Sequence, residues 1–442
     1  MIALNDFILL VRASISRFQQ YPPNLRQQTC FLAPSNAPLM IVAGPGSGKT
    51  TVLVLRALRH VLVDGLMPEN IIVTTFTRKA AEEIRSRLIE WGMALVEHLR
   101  NNPPSTATST FSNQLDSIDI NRFITGTLDS ICEETLTTFR NPGDPPPVLV
   151  EGFVGNALLA REGMFRSGAW NNQELEAYLA QFTVDGRPPH NFGQTILVCR
   201  NVVDRLLQDC VNVSAFANGT PHTLGRQIVV NSLGMYRAYM ARTNRMDFAG
   251  LEEVFLSRLT QGRLQRFTGT IRAILVDEYQ DTNPLQESIY FQLSKQTRAS
   301  LTVVGDDDQS LYRFRGSTVE LFCHFSDRRA NALPGLPAVR VEHLIDNYRS
   351  TPEIVSFFND HIAHDPAFLN ARVQPPKPQI VAQIHSNQIP VLGLFRHDPR
   401  TLAHDLAAFL NDVFRGPGRN IVIGGQVVTE VIPPSWTVFR VA

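Results

Sequence analysis

The stretch LMIVA at 39–43 is apolar at every position. A run that short, without polar alternation, is expected of a strand covered on both faces, as in a parallel sheet flanked by helices. A glycine loop follows, and then TVLVLRALRHVL, whose spacing predicts a helix. The pattern repeats with NIIVTTF (70–76), which reads as a strand, and RKAAEEIRSRLIE (78–90), which reads as a helix. Thr77 suits the N-cap of that helix, and Glu83 stands four residues before Arg87 in the favourable order. AILVD (273–277) and LTVVGD (301–306) are two further apolar runs, each ending in aspartate. Strands alternating with helices predict an α/β fold with a parallel sheet and right-handed crossovers, whose sites lie at the carboxyl ends of strands.

The segment 148–245 differs. It carries helix-like spacing, as at Leu175 and Leu179 or Val202, Leu206 and Leu207, and no strand–glycine–helix unit, so it reads as a mostly helical insertion. α/β-like material resumes from about 340. NNPPSTATST (101–110) reads as a surface loop, and NPGDPPP (141–147) and QPPKP (374–378) as stiff linkers.

Composition narrows the class. With 442 residues, 43% hydrophobic and 19% charged, the chain is globular and long enough for two or three domains. Its formal net charge is zero, so binding to nucleic acid would rest on a local surface. The cysteines, Cys30, Cys132, Cys199, Cys210 and Cys323, form no CxxC pair and read as buried free thiols of a reducing compartment. The N-terminus reads as an amphipathic helix, and no apolar run approaches the roughly 20 residues of a membrane span. A soluble cytoplasmic protein without a membrane partner is expected.

Candidate chemistry begins at AGPGSGKT, which joins the first strand to its helix. Ala43, Gly44, Pro45, Gly46, Ser47, Gly48, Lys49 and Thr50 read as a phosphate-binding loop, with alanine at 43 where the strict pattern has glycine and the Gly48-Lys49-Thr50 tail intact. Glycines let backbone N–H groups turn inward and make an anion cradle at a helix N-terminus. Lys49 supplies a charge to the β- and γ-phosphates of ATP, and the Thr50 hydroxyl can join a Mg2+ shell. Such a loop needs an acid partner, and ILVDEYQDT (274–282) offers two. Asp277 suits the metal. Glu278 suits a base that activates the water attacking the γ-phosphate.

Five blocks in order then carry a family likeness: AGPGSGKT, VTTFTRKAAEEIRSRL, ILVDEYQDTNPLQ, VVGDDDQSLYRFRGS and NYRST. The chain resembles the UvrD/Rep/PcrA-like superfamily-one DNA helicases over about residues 20–360. The resemblance implies an ATP-driven motor moving 3′ to 5′ on single-stranded DNA, with two RecA-like P-loop NTPase lobes and helical insertions. Its partner would be single-stranded DNA or a duplex with a 3′ single-stranded tail. It divides the chain into 1–145, the first part of a RecA-like ATP-binding lobe; 146–245, a helical insertion; 246–340, the second part of that lobe; and 341–442, the beginning of a second lobe.

Position by position, the resemblance gives Gln28, or the adjacent Gln27, the reading of adenine and sets Thr51 where the family often has an arginine that holds the base. It gives Thr75, Phe76 and Thr77 contact with DNA, Gln309 a place near the γ-phosphate, and Phe314 and Arg315 a place on the route to DNA. Tyr348 would stack on adenine and Arg349 would reach the γ-phosphate; a permanently charged fork suits that role. GTLDS (126–130) departs from the family's GTFHS-like block at Leu128 and Asp129. MDF (246–248) resembles the block at the exit of the insertion. Asp306–Asp308 then read as shaping a strand end rather than holding metal, with a supporting role for Asp306 open.

The late blocks of the family, resembling T-x-H-x-x-K-G-L-E and R-R-L-x-Y-V-A-x-T-R-A, do not occur in 351–442. The chain therefore reads as the N-terminal part of a helicase, expected to bind nucleotide and DNA weakly and not to unwind duplex alone. The alternative is a non-motor module that binds DNA or a partner in a nucleotide-dependent way. A small-molecule kinase would have to produce five helicase-like blocks by coincidence.

Overall fold

The computed structural model describes residues 2–430 apart from 105–108, 141–142, 144, 151, 185, 310–317, 365, 367–371, 387–390, 392–394, 416–418 and 424–425. The chain divides into two units, Met1–His385 and Ser386–Ala442.

The first unit is built on a sheet of six parallel strands: β1 (Leu39–Ala43), β2 (Ile71–Thr74), β3 (Ile124–Gly126), β4 (Ala273–Val276), β5 (Ser300–Gly305) and β6 (Arg340–Leu344). Their spatial order is β3-β2-β4-β5-β1-β6. Because β4, β5 and β1 are neighbours, the segments after Val276, Gly305 and Ala43 converge at one end of the sheet.

The unbroken apolar runs have a simple cause, since both faces are covered. In β1, Leu39, Ile41 and Ala43 face a core shared with the helices Leu4–Ser14, Lys49–Leu62 and Arg78–Asn101. Met40 and Val42 face the opposite core, with Leu128–Thr138, Phe248–Thr260 and Pro284–Thr297. Period-2 alternation is thus present but carries no polarity signal. Each fully buried Val, Leu or Ile contributes about 1.5–3 kcal/mol, so β1 anchors the loop that follows it.

Arg56 lies in the helix after that loop and is fully buried. It donates to Thr302 Oγ1 on β5 at 2.9 Å and to the carbonyls of Cys30, Ala33 and Pro34 at 3.2, 2.9 and 3.3 Å. Burial pulls its guanidinium down to about 9.

Between Val148–Leu149 and Arg245–Met246, which pair as short parallel strands, the chain forms helices including Gln173–Leu179, Phe192–Gln208 and Thr223–Arg242. These enclose a separate core containing Leu159, Met164, Tyr178, Cys199, Val203 and Tyr236. Asp247 caps Phe248–Thr260, accepts from Tyr236 Oη at 2.9 Å and pairs with Arg200 at 3.0 Å, which ties this core to the main sheet.

Several sequence expectations need correction. The helix expected over 78–90 runs from Arg78 to Asn101, because Trp91, Leu95, Val96 and Leu99 continue its buried stripe. Part of the loop expected at 101–110 is helix Ser109–Asp116; 105–108 lie outside the described residues. A boundary at 341 falls inside β6, which pairs with β1 along its length and so belongs to the first sheet. The linker QPPKP buries Lys377. Cys210 is exposed, whereas Cys30, Cys132 and Cys199 are buried. Among the described residues, no helix is long and apolar enough to cross a membrane.

The second unit contains helix Pro399–Arg415 and an antiparallel pair, Arg419–Ile423 with Gln426–Glu430.

Candidate active site

The glycine loop leaves β1 at Ala43 and enters the helix at Lys49. Gly46 and Gly48 have φ of +67° and +86°, a region where a side chain is strained. The Ser47 hydroxyl donates to the Gly44 carbonyl at 2.7 Å and closes the turn. Asn347 Nδ2 donates to the Pro45 carbonyl at 2.8 Å, and the Tyr348 N–H donates to the Gly46 carbonyl at 3.0 Å. The loop is therefore held from both sides, by its own strand and by the turn after β6. Thr51 is buried behind it.

Lys49 Nζ stands 3.9 Å from Glu278 Oε2 and 3.8 Å from Asp306 Oδ2, too long for tight ion pairs. The lysine is thus flanked by two carboxylates without being locked to either. Thr50 Oγ1 lies 3.4 Å from Asp277 Oδ2. Two hard oxygens side by side near the loop fit Mg2+, which takes few protein ligands and keeps the rest as water and phosphate oxygens. Burial, and then the charge of Glu278, push Asp277 up to about 7 against the opposing pull of Lys49. A divalent cation at this carboxylate would reverse that cost.

Glu278 adopts φ +51°, a left-handed conformation that is costly for glutamate and is typical of functional sites. The turn aims its carboxylate toward Lys49, and Gln280 Nε2 donates to Oε2 at 2.7 Å. Gln280 Oε1 also accepts from the Asp306 N–H at 3.1 Å, which joins the ends of β4 and β5. Gln309 Nε2 donates to Asp306 Oδ2 at 2.6 Å.

Asp306, Asp307 and Asp308 cluster closely enough to suggest a cation site. That place is filled by Lys377 Nζ, 2.8, 2.9 and 2.8 Å from the three carboxylates.

The glutamine against the loop is Gln27 rather than Gln28. Asn24 caps the helix Leu25–Phe31, and Gln27 completes the capping box three residues on. That geometry turns Gln27 Nε2 to the Ser47 carbonyl at 3.0 Å, while Gln28 donates instead to the Pro23 carbonyl at 2.6 Å. Asn24 Nδ2 donates to Tyr348 Oη at 2.6 Å, setting that half-exposed ring beside the loop. The Arg349 N–H donates to Asn347 Oδ1 at 2.7 Å, and Arg349 Cβ lies against Gly46, where an added Cβ would meet it at 2.7 Å.

Asn24, Gln280 and Asn347 escaped the sequence reading, which preferred Gln28 to its neighbour Gln27. The N-x-x-Q spacing of a capping box was the available signal for Asn24 and Gln27.

Thr75, Phe76 and Thr77 follow β2. Thr75 is buried and its Oγ1 has no partner among the described residues; Thr77 caps the next helix through the Ala80 N–H. With Asp277 and Glu278 they line a cleft of about 610 Å³, whose far side carries Arg200, Asn201 and Gln208 of the helical insertion. A smaller recess of about 230 Å³ brings Phe76, Glu278 and Gln309 together. Phe314 and Arg315 lie outside the described residues.

The UvrD/REP helicase N-terminal domain matches residues 24–330. The chain belongs to this family. Among the family's curated proteins it is 29% identical over 339 residues to the ATP-dependent DNA helicase Rep of Salmonella typhimurium, covering 76% of this chain and 42% of that one. It is 27% identical over 350 residues to DNA helicase II of Escherichia coli, covering 76% of this chain and 39% of the relative. Against the ATP-dependent DNA helicase PcrA of Staphylococcus epidermidis the identity is 27% over 342 residues, 77% of this chain and 40% of that one. The chain thus spans about two fifths of the length of these relatives. The parallel sheet carrying the glycine loop is the architecture expected of a RecA-like UvrD/REP domain.

Proposed function

We propose that the chain hydrolyses ATP in response to single-stranded DNA, as the nucleotide-binding part of a 3′–5′ helicase or translocase. The observation that carries this is the convergence of Lys49, Asp277 and Glu278 on one glycine loop. Backbone N–H groups of 46–50 and the Lys49 ammonium bind the β- and γ-phosphates. Thr50 and Asp277 would hold Mg2+, which neutralises phosphate charge when bound. Glu278, aimed by its left-handed turn and by Gln280, orients the attacking water and accepts its proton. Arg349 reaches the γ-phosphate and stabilises charge that develops there. Tyr348 stacks on the adenine, and Gln27, rather than its neighbour Gln28, reads the base edge.

Thr75, Phe76 and Thr77 contact DNA, with Phe314 and Arg315 continuing the path; a stacking phenylalanine contributes about 1–3 kcal/mol per base. The recess shared by Phe76, Glu278 and Gln309 supports coupling between strand and hydrolysis. Sequence similarity to Rep, PcrA and DNA helicase II supports DNA as the substrate; a 3′-tailed duplex and a soluble cytoplasmic setting are part of the same proposal.

Glu278→Gln tests the assignment. The variant is expected to keep ATP binding within about threefold and to lose at least about 100-fold in turnover. Wild-type turnover in this variant would remove Glu278 as the base. Binding without turnover in the unsubstituted chain would make it a nucleotide-dependent binding module.

A further inference from the structure

We infer that Lys377 is a positioning residue for the nucleotide site, fixing the Asp306 carboxylate between Gln309 and Lys49. The inference rests on the ATP reading above.

Lys377 lies 71 residues beyond Asp306 in the sequence, in a proline-rich stretch, yet it is only 3% exposed. Its ammonium takes Asp306 Oδ1 at 2.8 Å. The other oxygen, Oδ2, is thereby left facing the site, where Gln309 donates to it at 2.6 Å and Lys49 stands at 3.8 Å. The neighbouring carboxylates are fixed by the same segment. Arg372 grips Asp308 with two bonds of 2.7 and 2.6 Å, and the Val373 N–H donates to Asp307 at 3.1 Å.

Charge makes the arrangement consequential. Three carboxylates face Lys377 and Arg372, which leaves about one negative charge of the cluster toward Lys49, beside Glu278 on its other flank. Without Lys377 the excess grows by one charge in a buried place. Lys49 is then drawn toward Asp306 and away from phosphate, and the field repels a polyphosphate in proportion to its charge. A purely structural lysine would weaken all nucleotides alike; this one discriminates between them.

The test is titration of the full chain with fluorescent ATP and ADP analogues, with melting curves as the control for folding. For Lys377→Met, ATP affinity is expected to fall about tenfold and ADP affinity several-fold less. Adding Asp307→Asn to that variant restores the charge balance and is expected to recover most of the ATP–ADP difference. Asp307→Asn alone, which keeps Lys377, is expected to shift the ratio the opposite way and covers the case in which Lys377→Met fails to fold. Equal loss of ATP and ADP, or no shift with Asp307→Asn, overturns the inference while leaving the nucleotide site intact. An unsubstituted chain that binds neither nucleotide, with Lys49→Ala making no difference, overturns the ATP reading itself.

Discussion

Gly46→Ala probes the seam between the phosphate loop and the turn after β6. Gly46 has φ +67°, and an added Cβ would stand 2.7 Å from Arg349 Cβ and 2.9 Å from Asn347 Oδ1. Neither neighbour is the free end of a flexible chain, so the turn must move. A left-handed alanine costs about 1–2 kcal/mol. Displacing the turn also breaks the bonds from the Tyr348 N–H to Gly46 and from Asn347 Nδ2 to Pro45, at about 1 kcal/mol each. The sum is about 3–4 kcal/mol, or about 100-fold or more in ATP affinity if it falls on the bound state.

Gly44→Ala is the matched control. Gly44 lacks a left-handed φ, and its new Cβ would meet only one side chain closely, Ile380, at 2.7 Å from Cδ1 and 2.9 Å from Cγ1, so a rotamer change there rather than a backbone shift relieves it. A loss below about tenfold is expected there. Titration with a fluorescent ATP analogue, beside melting curves, reads both. Wild-type affinity in Gly46→Ala, or an equal loss in Gly44→Ala, would refute the claim that the turn and the loop form one surface.

Three further outcomes can be checked. Gln309→Ala should weaken DNA-stimulated hydrolysis more than ATP binding, because Gln309 meets Asp306 on one side and the Phe76 recess on the other; equal losses in paired binding and turnover assays count against this. His60 is buried, and burial holds its imidazole down to about 4 from 6.5, against the bond with Asp64. Its neutral form is therefore free above pH 6.5, and stability falls as pH drops from 6.5 toward 4, by about 3 kcal/mol; denaturant melts should show a flatter acid limb in His60→Gln. Arg56→Ala leaves Thr302, the buried carbonyls of Cys30 and Ala33 and the Pro34 carbonyl without their donor, and a loss of about 3 kcal/mol or more is expected in the same melts.

Much of the fold and the loop was legible because their signals are local. LMIVA, the glycine loop and the acid pair each carry structure and chemistry within a few residues. What escaped was decided by partners distant in sequence or by a choice between neighbours. Gln27 and Gln28 are indistinguishable by type, and only the capping bond from Asn24 sends Gln27 to the loop. RVEHL is too polar to read as a buried strand, yet it pairs along β1 because it sits at the sheet edge. Lys377 between prolines reads as solvated until the three aspartates that receive it are known. The cluster opening GDDDQ read as strand-end shaping, and its lysine counter-charge had no local trace.

Steady-state ATP hydrolysis by the purified chain, with and without single-stranded DNA and beside Lys49→Ala, tests the central claim most directly. Turnover that rises with DNA and disappears in Lys49→Ala is the expected result. Turnover indifferent to DNA, or surviving in Lys49→Ala, would contradict it.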